Sequence, residues 1–407
     1  MPPTSDFQPP HAGNSRGTIS EVFLAFLVLG LTSFGGPIAH LGYFRKEFVE
    51  RRRWLDDHSY ADLVALCQFL PGPASSQVGM VLGLGRAGWP GMFAAWAGFT
   101  LPSASVLILF AYGITGYAEL AASGWVHGLK LAAVAIVAQA VWGMAKSLCP
   151  DRLRAFVAVG VALLGLAVPG VAGQVAALIL AGFVGWWHVP LRPIQAGVAP
   201  RWPVSRKLGV AAFVLFVVLL IGLPIWAAAT GSSAASLVEA VYRAGALVFG
   251  GGHVVLPLLQ AGVVPGGFVT EAEFLAGYGA AQAVPGPLFT FAAYIGAVAE
   301  GPMTGWWGGM VLLLVIFVPG ALVLIAALPF WEALRHRPGV QRIMAGVNAG
   351  VVGLLLAALY DPVWTTAVQR RADFGLALAA FALLVYGRVP PALVVLLAAV
   401  GGGILAV

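Results

Sequence analysis

Long apolar runs separated by short polar joints make up most of the chain. Leu208 to Ala229, Met303 to Leu328 and Val389 to Val407 contain no Asp, Glu, Lys or Arg. A helix rises about 1.5 Å per residue, so roughly 20 apolar residues cross the hydrocarbon core. These runs approach or exceed that length and predict membrane helices. A transmembrane barrel would show shorter segments of alternating polarity instead. The expected fold class is therefore an all-α polytopic membrane protein.

Several runs are interrupted where a spanning helix would be continuous. Ile19 to Ser33 is helical in pattern, Gly35-Gly36-Pro37 breaks it, and Ile38 to Glu50 resumes as an amphipathic piece. Tyr60 to Leu70 is too short to span, and a second short piece runs from Pro71-Gly72-Pro73 to about Gly85. Proline lacks the amide and clashes with the preceding turn, so these are breaks by construction. Irregular backbone at membrane depth survives only where protein or a water-filled cavity surrounds it, so the breaks are expected to line a site.

The same interruptions return in the second half. Ser33-Phe34-Gly35-Gly36 matches Val248-Phe249-Gly250-Gly251 at an offset of 215, and Gln68 matches Gln282 at 214. Pro102 matches Pro319 at 217, and Gly128 matches Gly346 at 218. Pro285-Gly286-Pro287 repeats the first Pro-Gly-Pro. The expected organisation is a disordered cytoplasmic tail over 1–18, a first repeat over 19–150, connecting helices over 151–233 with a basic loop at 189–207, a second repeat over 234–360, and two C-terminal helices over 361–407.

Charge sets the orientation. The loop from Arg45 to Arg53 holds five basic residues, whereas its counterpart from Gln260 to Gly267 holds none. Basic loops stay in the cytoplasm, so the two repeats are expected to be inverted. If the broken segments dip in and return, five crossings separate the repeats, and an odd number inverts the second. Full crossing of the broken segments also gives inversion but moves the basic loop outside. We prefer the re-entrant version. Inverted repeats with broken helices are the plan of secondary transporters.

Composition agrees and narrows the chemistry. The chain is 60% hydrophobic and 9% charged, with mean hydropathy +0.91. Its net charge of +6 lies in loops and needs no nucleic-acid partner. Cys67 and Cys149 offer neither a metal spacing nor a disulfide framework. Gly83 to Gly88 is glycine-rich but lacks the lysine of a phosphate loop. No cofactor or metal is expected, and no enzyme.

A helix beginning after Pro71-Gly72-Pro73 points free amides and the positive end of its dipole at the break, which suits an anion. Ser75, Ser76 and Gln77 add side-chain donors, and Thr290 is their polar echo in the second half. Gly35, Gly36, Gly250 and Gly251 let backbones approach, a feature that tight helix packing would also explain. Gln68 and Gln282 would bind the ion or satisfy carbonyls freed by the prolines. Arg243 is either a substrate group or the partner of Glu239 at i−4. Lys130 either attracts substrate or snorkels. Glu21, Asp62, His40 and His253 are the candidates for carrying protons.

The stretches "SFGGPIAHLGYFRKEFVERRRWL", "QFLPGPASSQVG" and "GWPGMFAAWAGFTLPSA", with the echoes "VFGGGHVVLP", "AAQAVPGPLFT" and "GVNAGVVG", closely resemble the chromate ion transporter family in its long, two-domain form. The resemblance covers nearly the whole chain. It implies efflux of chromate across a bacterial inner membrane, driven by the proton motive force, with sulfate as the look-alike ion. Transport of sulfate or a related tetrahedral oxyanion, or an oxyanion channel, remains the alternative. The implied partners are chromate, protons and the bilayer, with a homodimer left open.

Overall fold

In a computed structural model the described residues are 17–34, 36–116, 124–168, 171–189, 202–249, 254–331, 333 and 337–405. Gly35, Gly250, Gly251 and His253, most of the tail and much of the basic loop at 189–207 lie outside them. Every regular element among the described residues is helical.

The first half opens with α1 (Ile19–Thr32), α2 (Gly36–Phe44) with a π-helical turn (Arg45–Arg51), and α3 (Asp57–Phe69). Then α4 (Ala74–Gly116) is broken at Ala87 and Gly88, where Gly88 has φ +67°. It is followed by α5 (Gly124–Leu148), α6 (Arg152–Ala167) and α7 (Val171–His188). A connecting helix, α8 (Arg206–Thr230), leads to the second half: α9 (Ser233–Ala246), α10 (Val255–Val263) and α11 (Glu271–Ala283). A 3₁₀ turn (Leu288–Thr290), α12 (Phe291–Val298), α13 (Gly305–Ala327), α14 (Pro338–Ala358), α15 (Arg371–Val385) and α16 (Pro391–Leu405) complete it.

Contacts between element ends place the broken segments as hairpins. The Gly17 amide donates to Arg86 O at 3.0 Å, and Glu21 pairs with Arg86 at 3.2 Å and with Arg52 at 3.8 Å. The start of α1, the end of the π turn and the end of the first limb of α4 thus meet at one face. α1 enters and α2 returns; α3 enters and the first limb of α4 returns. The second half repeats this at the other face. There the Glu300 amide donates to Phe268 O at 3.0 Å, and a Cβ on Gly301 would lie 3.6 Å from Ser233 Oγ. The Tyr112 hydroxyl accepts from the Trp306 amide at 2.7 Å, so α4 ends at the face where α13 begins. The halves are inverted, and the five-residue basic cluster lies at the face of Gly17 and Arg86.

Two breaks are tied across the halves in a reciprocal way. The Gly72 amide donates to Val248 O at 2.7 Å, and the Gly286 amide donates to Ser33 O at 3.0 Å. Each Pro-Gly-Pro therefore satisfies a carbonyl freed where the other half's first helix ends. Both glycines need positive φ, +117° and +106°. A Cβ on Gly72 would lie 2.9 Å from Gly320 Cα, and one on Gly286 would lie 2.8 Å from Ser103 Oγ. A larger residue at either turn would be strained by the positive φ and would have to displace these neighbours.

The long helices exchange partners in the same manner. α5 packs on α15 and α16, and α14 packs on α6 and α7. A Cβ on Gly128 would meet Ala398 O at 2.1 Å, and one on Gly346 would meet Ala181 O at 2.2 Å. Small residues let these backbones touch, as membrane helices without a hydrophobic driving force require.

Candidate functional site

The site is built where the four broken segments converge. Gln77 N–H to Pro73 O, 2.9 Å, is the first rung of the helix after the first break, so the amides of Ala74, Ser75 and Ser76 precede the ladder. His40, on α2 and 1% exposed, donates from Nε2 to Ser33 O at 3.2 Å. Its Nδ1 then accepts from the Ser75 hydroxyl at 3.3 Å, and its ring stands edge-on to Phe99 at 5.1 Å. Ser33 O is shared by His40 and the Gly286 amide, which joins the first break to the second.

Around this junction, three buried hydroxyls have no partner among the described residues: Ser33 Oγ, Ser76 Oγ and Thr100 Oγ1. Thr100 lies one residue from Phe99 and hands its carbonyl to the Ser103 hydroxyl at 3.0 Å. A buried hydroxyl without a partner costs roughly 1–3 kcal/mol, so three near one junction make it the candidate place for a polar ligand.

Other expected residues have different roles. Gln77 spends its amide on Pro71 O at 2.9 Å and Gly320 O at 3.0 Å, leaving only its carbonyl oxygen, which cannot donate to an anion. The Thr290 hydroxyl donates to Pro287 O at 2.8 Å. Phe289 and Phe291 stand where the first half has Ser75 and Gln77, so the second break is apolar. The amides of Gly72 and Gly286 serve the cross-half bonds. Gln282 Nε2 is buried with no partner among the described residues, whereas Gln68 is exposed.

The charged residues differ in their partners. Arg243, in the last turn of α9, pairs with Glu239. Glu21 lies in the Arg86 and Arg52 cluster at the basic face, and Asp62 is half-buried on α3. Lys130 is half-buried on α5 with no ion pair among the described residues. The structure thus brings Ser33, His40, Ser75, Ser76 and both Pro-Gly-Pro turns to one junction, and places Glu21 at the basic face, Gln68 exposed on α3 and Arg243 in an ion pair with Glu239. Sequence reading missed Thr100 and Ser33. A threonine two residues before Pro102, one turn ahead of Ser103 in a mostly apolar helix, is the signal that would have found the first.

The family model described as chromate transporter matches this chain twice, over residues 20–186 and 235–403. The chain belongs to the chromate transporter family. Each match includes the exchanged helix pair, α6–α7 in the first half and α15–α16 in the second. A chromate transport protein of Pseudomonas aeruginosa is 28% identical over 366 residues, 85% of this chain and 82% of its own. One of Cupriavidus metallidurans is 28% identical over 357 residues, 84% and 82% of the two chains. An uncharacterised transporter of Methanocaldococcus jannaschii is 26% identical over 339 residues, 83% and 82% of the two. No solved structure matches. This chromate transporter family member is a multi-pass membrane transport protein and not an enzyme.

Proposed function

We propose that the protein exports chromate across a bacterial inner membrane as a secondary transporter driven by the proton motive force. The whole-length family match supports the substrate, and the inverted repeats support a carrier over a channel. The observation that carries the site is the set of unpartnered hydroxyls, Ser33, Ser76 and Thr100, beside the leading amides of the helix after Pro73.

A dianion leaving water needs several donors. Amides and hydroxyls supply them without placing compensating full charges in the bilayer. His40 is the proton carrier we favour among Glu21, Asp62, His40 and His253. It is buried, its Nδ1 accepts the hydrogen bond of the Ser75 hydroxyl, and protonating that nitrogen would end this acceptance and free the hydroxyl hydrogen to turn toward the ion. Proton arrival and ion binding would then be linked through one side chain. The basic face is assigned to the cytoplasm by its charge.

The test is accumulation of radiolabelled chromate by everted vesicles. Energised vesicles should accumulate it, a protonophore should abolish that, and excess sulfate should compete partially. Accumulation indifferent to the protonophore would contradict the coupling. Sulfate uptake exceeding chromate uptake would move the assignment to the wider class of tetrahedral oxyanions.

A further inference from the structure

The two halves are not arranged alike. α11 lies along α5 and α16: Ala276 packs with Val126 and Ile114, and a Cβ on Gly279 would fall 2.4 Å from Leu129 O. The two-fold that exchanges the halves maps α11 onto α3, α5 onto α14 and α16 onto α7. It calls for α3 along α14 and α7. Instead, α3 packs chiefly on α4 and the turn Arg45–Arg51. The face that α11 buries is the face that α3 leaves bare. Leu275 and Gly279 are buried, whereas their counterparts Ala61 and Ala65 are exposed, and so is Gln68 one turn further on.

Where the two-fold would seat α3 there is an apolar groove of about 390 Å³ between α7 and α14. Ile343 and Val347 form one wall, at the positions of Trp125 and Leu129 in the first half. Gly182 and Trp186 form the other, and Leu247 and Phe249 close the inner end. That inner end adjoins the root of α3, because Val248 holds the Gly72 amide at 2.7 Å.

We infer that this groove is the docking seat of α3 in the opposite state of the transport cycle, and that the structure is the state open toward the basic face. Pro71-Gly72-Pro73 is the pivot, held in place by the Gly72 bond. Ala61 and Ala65 are small, as a helix that must dock backbone to backbone requires. In the opposite state α11 leaves Leu129 as α3 reaches Val347, so the asymmetry passes from one half to the other. The inference rests on the fold's two-fold and is independent of which ion is carried.

The test uses the full-length protein in membranes, with Cys67→Ala and Cys149→Ser as background. Ala65→Cys is paired with Val347→Cys, and a second variant pairs Ala61→Cys with Ile343→Cys. Ala276→Cys with Val126→Cys is the reference pair that already touches. Under oxidation, all three should yield disulfide-linked peptides by mass spectrometry. The first two links should stop transport and make an added Gln68→Cys at least tenfold less reactive to maleimide from the basic face; a reductant should reverse both effects. The inference is overturned if the reference pair links while neither α3 pair does, or if the α3-linked protein transports at an unchanged rate. The cross-links are read without chromate, so failure of the substrate assignment would leave them standing.

Discussion

At the scale of single residues, the division between spent and unspent hydrogen-bond donors decides what each substitution does. Ser76 and Thr100 have buried hydroxyls with no partner among the described residues, whereas the Thr290 hydroxyl is already bonded to Pro287 O. Ser76→Ala and Thr100→Ala should each weaken apparent chromate affinity by roughly 10- to 150-fold, the value of about 1.5–3 kcal/mol for a donor to a charged group. Thr290→Ala should change it less than threefold. Affinities from initial uptake rates check this, and equal effects at all three positions would move the ion elsewhere. Gly72→Ala is a different perturbation, since φ +117° strains any L side chain and its Cβ would crowd Gly320. We expect a loss of roughly 1–3 kcal/mol of stability, seen as a lower melting temperature of the purified protein. The sequence made Ser75, Ser76 and the Pro-Gly-Pro turns legible because helix starts follow local rules. It could not show that Gln77 turns its amide to Gly320, since that partner lies 243 residues away.

At the scale of elements, the hairpins follow from the breaks and the breaks were plain in the sequence. Two short limbs around Gly35-Gly36-Pro37 and two around Pro71-Gly72-Pro73 are each too short to span, and the pairing of Glu21 with Arg86 brings their outer ends together. Lys46 and Pro265 are exposed in equivalent loops. Single cysteines there, in the background lacking Cys67 and Cys149, should react with an impermeant maleimide from opposite faces. Lys46→Cys should react only from the cytoplasmic side, and labelling of both from one side would contradict the inversion. The exchange of helix pairs between halves was not legible. Gly128 and Gly346 stood out as repeat landmarks, yet contact with Ala398 O and Ala181 O is decided by tertiary packing that no local pattern encodes.

For the whole molecule, inversion and asymmetry have one consequence. A chain whose halves are related by a two-fold can place either half in either arrangement, so the state open to one face implies its mirror. α11 closed on α5 with α3 standing off α14 is one member of that pair. A carrier of this kind exposes its site to one side at a time, which a pore does not. Counterflow in proteoliposomes reads that difference directly. With unlabelled chromate trapped inside and a trace of labelled chromate outside, the label should rise transiently above its equilibrium level and then decline, without any imposed gradient of protons. A monotonic rise to equilibrium would contradict the account.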